Sequence, residues 1–346
     1  MLIVLLAGTF CSCEPDPIGG DEPETKTVSL NFKSSGEGTG KARLIFWDEN
    51  TYHSLASASG VPYCVALPEN EINYYSSENS NRMPYNTGVP YPSIGNLHLS
   101  GYAPQDMMPE DGSATNLYQG DYRQIPIPVN YQDGKTDFLV CSGGSTGSAA
   151  QPFDRDMGGG QREDHVFKHA CSRLIFRIRR DPATLGHMMF RNVRIALPEG
   201  YMPGALQWNN QSYRLAGVAE SVTAFGQDSL LSRTHDRILQ ITDDILLDTL
   251  YVAPYNPDDL SLRDANILVQ VIADRSPDNF SSFIEEDKHW NFPVQITKNG
   301  ANVPTLTPGK GYVITIEFSL NSFQIQAEEE DWEEHVLIDI PIVDHG

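Results

Sequence analysis

Basic residues are scarce in this chain. Its 346 residues carry 24 Lys and Arg against 46 Asp and Glu, a net charge of −22. That balance repels a phosphate backbone and no basic cluster offsets it, so nucleic acid is not an expected partner. Cysteine is scarce as well: beyond Cys11 and Cys13 only Cys64, Cys141 and Cys171 remain. Three widely spaced thiols form no disulfide framework and allow one pair at most. Stability must therefore come from packed cores. Long apolar runs are missing after Phe10, and nothing approaches the ~20 residues that span a bilayer.

The usual marks of catalysis are also missing. There is no His-Glu-x-x-His, no Cys-x-x-Cys and no glycine loop ending in Gly-Lys-Ser/Thr. The run Gly143-Gly144-Ser145-Thr146-Gly147 is not Gly-x-Ser-x-Gly between a strand and a helix, and it reads as linker, as does Gly158-Gly159-Gly160. His165 and His169 would share one face of a helix as metal ligands, but their neighbours alternate as a strand. There, a spacing of four puts them ~13 Å apart, too far for one ion. The acidic cluster Glu328-Glu329-Glu330-Asp331 with Glu333-Glu334 lacks the spacing of a calcium loop and is expected as a solvated turn. No catalytic residue, metal site or cofactor is expected, and the chain reads as a non-enzyme.

What is present begins at the N-terminus. Leu2 to Phe10 is unbroken apolar sequence with the length of a signal-peptide h-region, closed by Cys11-Ser12-Cys13 and then Glu14-Pro15-Asp16-Pro17. A small residue before a cysteine at that point is the layout of a bacterial lipoprotein signal. Cys13, preceded by Ser12, is the expected lipidated residue and the only membrane anchor; Cys11 follows bulky Phe10. No Lys or Arg precedes the run, which leaves room for a start a few residues upstream. Residues 14–26 are acidic and rich in Pro and Gly, a flexible tether.

Order is expected from Thr27, where apolar residues alternate in period two through Phe32. A Gly/Ser loop then carries Lys41 and Arg43, both expected to be exposed to a trypsin-like protease, before Leu44 to Trp47. Further strands are expected at Tyr63 to Ala66, Leu97 to Tyr102, Ile125 to Val129 and Asp137 to Cys141. After the glycine-dense stretch 141–164 they resume at Val166 to Arg179, Asn192 to Leu197, Ser212 to Leu215, Ile238 to Ile241 and Leu247 to Ala253. Ile267 to Ala273, His289 to Ile296, Gly311 to Leu320 and His335 to Val343 complete the set. Ser281 to Lys288 is the single short helix expected. Many short strands punctuated by Gly, Pro and Asn predict an all-β fold, with one β-sandwich at 27–155 and a second at 156–346. No internal sequence repeat is evident.

The segment Phe167-Lys168-His169-Ala170-Cys171-Ser172-Arg173-Leu174-Ile175-Phe176-Arg177-Ile178 resembles the Phe-x-His-x-x-Ser-Arg-Leu-x-Phe-x-Ile segment of the fimbrillin-like, or Mfa-like, lipoproteins of the Bacteroidales. In the same order, Leu97 to Pro104 resembles that family's Tyr-x-Pro strand, and Leu306 to Thr315 its late Pro-Gly-x-x-Tyr strand. The resemblance implies two tandem transthyretin-like β-sandwich domains with Greek-key character, in an acylated (palmitate-bearing) lipoprotein of the cell outer membrane. It further implies assembly with other fimbrial subunits into a fimbrium, or pilus, that serves cell adhesion to a host or bacterial surface protein or glycan.

In that family an arginine-directed protease removes the first strand, and another subunit's C-terminal strand fills the groove by strand addition. Carried over, the removable strand is Val28 to Phe32, and cleavage falls at Arg43, with Lys41 in reserve. The donor is His335 to Val343, with Val336, Ile338, Ile340 and Ile342 as its apolar row. The start of the first half keeps little of the family pattern, which leaves stalk, tip and anchor roles open. An alternative reading is a monomeric surface lipoprotein that binds polysaccharide or host glycan. Its platforms would be the tyrosines of the first half with Trp47, Trp208, Trp290 or Trp332. Those tyrosines are expected chiefly to pack loops onto a sandwich.

Overall fold

The computed structural model describes residues 26–34, 42–48, 63–67, 85–104, 117–119, 122–141, 146–158, 161–162, 164–180, 189–198, 200–208, 212–218, 244–276, 285–318 and 323–332. Cys13, Lys41 and the expected strands at 238–241 and 335–343, with Val336, Ile338, Ile340 and Ile342, lie outside the described residues. Among the described residues the fold is all-β, with one 3-10 turn at Val129–Tyr131 and no α-helix.

Two large sheets dominate. The first runs β3 (Tyr63–Leu67), β2 (Ala42–Asp48), β5 (Leu97–Ala103), β8 (Leu139–Cys141), β12 (Asp164–His169), β1 (Thr27–Ser34) and β4 (Tyr85–Pro90), with β9 (Thr146–Gly147) beside β5. The second runs β14 (Met189–Ala196), β18 (Asn266–Ser276), β19 (Glu285–Lys298), β22 (Phe323–Asp331), β21 (Lys310–Phe318), β13 (Ser172–Arg180) and β17 (Asp244–Val252), with β20 (Ala301–Asn302) beside β19. A smaller sheet joins β16 (Tyr213–Gly217), β15 (Pro203–Trp208), β7 (Tyr122–Pro126) and β6 (Leu117–Gln119). A hairpin of β10 (Asp156–Gly158) and β11 (Gln161–Arg162) stands apart.

Strands that change partner fold each large sheet over. Thr27 to Leu30 of β1 pairs antiparallel with β4, whereas Asn31 to Ser34 pairs parallel with β12. Likewise β19 pairs with β18 up to Gln295 and then, from Ile296, runs parallel to β22. The second sheet thereby encloses one core to which β13, β14, β17, β18, β19 and β21 all contribute. Along β13, Leu174, Phe176 and Ile178 are fully buried while Arg173, Ile175 and Arg177 face outward half-buried, the alternation a pleated strand requires. Burying each of those three side chains contributes roughly 1.5–3 kcal/mol.

A repeat absent from the sequence is present in the topology. With β2 left out of the first path and β22 out of the second, the remaining strands of both sheets follow one order. Numbered within each half, that order is 2-4-5-6-1-3. In both halves the first strand pairs parallel with a late one, β1 with β12 and β13 with β21, and antiparallel with a middle one, β4 or β17.

Several expectations need correction. The expected helix overlaps β19: Glu285 to Lys288 is strand, because pairing with Ala273 to Arg275 outweighs the helical preference of Glu and Lys. Val166 to Arg179 is two strands, broken at Ala170-Cys171 where the chain passes from the first sheet to the second. The acidic cluster is not a turn at Glu328 to Asp331 but the end of β22, paired with Lys310 to Val313. Its alternation was hidden because the inward side carries only Ile325 and Ala327 before Glu329, whose carboxylate accepts from Lys298 Nζ at 2.8 Å. The stretch read as linker contributes β9 and a fully buried Phe153 to the first core. Gly147 is required there, since a Cβ would stand 2.8 Å from the Phe153 ring. The expected boundary at 155/156 precedes β12, which belongs to the first sheet.

Candidate functional site

The segment that carries the resemblance forms the seam between the two large sheets. Phe167 of β12 fills the first core and lies against Gly101, where an added Cβ would come within 2.9 Å of its ring. His169 Nδ1 hydrogen-bonds Asp137 Oδ2 at 2.6 Å. The next three residues are tied to the loops on either side. Ala170 N donates to Phe138 O at 2.7 Å, Gly309 N donates to Cys171 O at 2.7 Å, and Ser172 Oγ donates to Thr307 O at 2.8 Å. Leu174 then enters the second core. A third cluster, with Tyr102, Phe138, Cys171, Leu206 and Ala253, packs the seam against the four-stranded sheet.

Trp332, at the end of β22, closes this seam from outside. Its ring stacks on His169 with centroids 3.9 Å apart at 17°, on Tyr251 at 5.7 Å and 28°, and under Arg173, whose guanidinium carbon lies 4.7 Å from the ring centroid. Sequence reading weighed His169 as a metal ligand and placed it in the resembling segment, but missed Asp137 and Trp332 as its partners and Tyr251 as a partner of Trp332. The available signal was one large aromatic in an otherwise acidic run. Trp332 is thus a packed residue rather than an open sugar platform, and Trp290 packs against the second core.

Asp137, His169 and Cys171 bring together the residue types of a nucleophile with its base, but their environment opposes that chemistry. Burial pushes the Cys171 thiol well above its ordinary value, the neighbouring Asp137 charge raises it further, and its Sγ faces Thr136 O at 3.9 Å. A thiol held protonated is a poor nucleophile. His169 Nε2 is buried without a hydrogen-bond partner. Among the described residues no group of three His, Cys, Asp or Glu side chains converges on a metal position.

Burial also raises the Asp137 pKa, more than His169 and Arg173 lower it. The folded state then binds this proton more tightly than the unfolded chain. The ionised carboxylate costs stability at neutral pH, and that cost disappears as pH falls through the window between the raised value and the ordinary one. Asp137→Asn keeps an acceptor for His169 without the charge. Wild type is therefore expected to gain stability relative to Asp137→Asn as urea titrations move from pH 7 towards pH 4. A difference independent of pH would show that burial of Asp137 does not raise its pKa.

The first strand is held by β4 along its first half and by β12 along its second. Thr87 Oγ1 donates to Val28 O at 3.0 Å, Tyr91 N donates to Lys26 O at 3.1 Å, and Val28 is fully buried in the first core. Arg43 departs from expectation. It is the second residue of β2, paired with Tyr102 on one side and Ala66 on the other, and only 4% exposed. The described tyrosines of the first half mostly pack: Tyr102 is buried, and Tyr91 accepts a 2.9 Å hydrogen bond from Phe153 N while stacking on its ring.

No family model matches the sequence, and no curated protein matches it. Solved structures do. One is described as a cell adhesion protein from Parabacteroides distasonis, 12% identical, with 89% of this chain and 99% of that chain covered and a TM-score of 0.49. A fimbrial protein from Bacteroides vulgatus is 10% identical over 88% of this chain and 99% of its own, with a TM-score of 0.47. The tip fimbrial protein Mfa3 from Porphyromonas gingivalis is 11% identical over 88% of this chain and 98% of the other, with a TM-score of 0.38. The chain is similar in structure to these Bacteroidales cell adhesion and fimbrial proteins.

Proposed function

We propose that this chain is a non-enzymatic subunit of a cell-surface fimbrium, exported as a lipoprotein acylated on Cys13, and assembled with other subunits by strand exchange. Its two large sheets form tandem transthyretin-like sandwiches that meet at the seam. The observation that carries the reading is the position of β1, which is both first in the chain and interior in its sheet. Its removal would expose one backbone edge on β12 and another on β4, and would empty the core position of Val28. Open donors and acceptors beside an apolar slot are what an incoming strand needs. Residues 335–343, with Val336, Ile338, Ile340 and Ile342 in one row, supply a matching donor.

Cleavage in the connection between β1 and β2 releases that strand. With Arg43 inside β2, cutting after it requires β2 to open, whereas cutting after Lys41 does not break the β2 ladder. Trypsin treatment of the folded protein is expected to give a new N-terminus at Ala42 in preference to Leu44, followed by polymer ladders on unboiled gels. Material that keeps its first strand and still polymerises would overturn the reading. A Cys13→Ala chain is expected to lose membrane fractionation, and continued flotation with membranes would remove the anchor assignment.

A further inference from the structure

The end of β22 is an unlikely place for a strand to hold. Glu328, Glu329, Glu330 and Asp331 are four consecutive carboxylates. β19 pairs with β22 only at Ala327 and Glu328, so Glu329 to Asp331 have a ladder on the β21 side alone. One-sided pairing is the condition under which a strand end frays, and at this end the side chain of Glu329 is held by Lys298 Nζ at 2.8 Å. Trp332 comes next, and it lies in the stack of His169, Tyr251 and Arg173. The receiving surface is rigid: His169 is oriented by Asp137, and the turn that follows is fastened by the bonds of Ala170, Cys171 and Ser172. The contact with Arg173 sets a cation against an aromatic face, and it lies beside the acidic strand end rather than opposing it.

We propose that Trp332 is a latch. Held at the seam, it stops the acidic end of β22 from peeling off β21 and gives residues 333–346 a fixed starting point against the fold. Its meaning for assembly rests on the strand-donation reading above: a fixed root limits the directions in which a donor segment can reach a neighbour, which raises the effective concentration of productive encounters. Trp332 is a positioning residue: it stacks on His169 of β12 and is not one of the buried residues of the first core.

Hydrogen exchange on the full chain tests this. In Trp332→Ala, amides of Glu329 to Asp331 are expected to exchange at least tenfold faster, with β13 and β17 unchanged. Trp332→Phe, which keeps a ring to stack, is expected to retain most of the protection. Unchanged exchange at Glu329 to Asp331 in Trp332→Ala would overturn the latch. So would acceleration spread through β13 and β17 in both variants, which would make Trp332 an ordinary core residue. Neither result depends on polymer formation, so a failed latch and a failed donor strand are read in separate measurements.

Discussion

Removal of residues 335–346 is expected to abolish polymers and leave a folded monomer. Every core residue among those described precedes the cut, the last of them Ala327, and Trp332 remains to close the seam. The segment removed carries Val336, Ile338, Ile340 and Ile342 at alternating positions, so all four can enter one groove. Burying four such side chains contributes on the order of 6–12 kcal/mol before ordering costs. Under the strand-exchange proposal a contact of that size is long-lived, and its loss removes the polymer. Size-exclusion chromatography and unboiled gels after protease activation measure the outcome. A truncated chain that unfolds would assign the segment to its own core, and one that polymerises like the full chain would end the donor assignment.

Phe167→Ala is expected to be the most damaging single substitution at the seam, at about 3–5 kcal/mol. Phe167 has no exposed surface, and the absence of a side chain at Gly101 is what admits its ring. Strand β12 cannot fill the space by shifting, because β8 holds it on one side and β1 on the other. The cavity therefore persists, and it lies beside the His169 anchor. Phe167→Leu keeps most of the volume and is expected to cost less than about 1.5 kcal/mol. Urea denaturation of both variants provides the comparison. A loss below about 1 kcal/mol for the alanine variant would mean that the core collapses around the gap.

The seam also explains why one short segment carries so much of the resemblance. Phe167 serves one core and Leu174 the other, while His169, Ser172 and Arg173 engage Asp137, Thr307 and Trp332 between them. Each of these positions meets a specific partner, whereas outward positions of an ordinary strand meet water. Sequence reading recognised the pattern without its reason, since the partners are remote in the chain.

The sequence by itself determined the all-β class and most strand positions. Alternation in β13 and β18 is local: Leu174, Phe176 and Ile178, or Ile267, Val269 and Val271, declare a buried face whatever they pair with. Tertiary structure alone decided where an alternating face is weak or a partner is distant. The acidic end of β22 became strand because β21 offered a ladder, and Glu285 to Lys288 joined β19 because β18 did the same. Arg43 became buried because β2 lies between β3 and β5. The parallel pairing of β1 with β12 carried the first sheet past the glycine-rich stretch. Side-chain periodicity records which face of a strand is buried, but the backbone bonds that choose its neighbour are chemically alike in every strand, so only the packed chain selects among them.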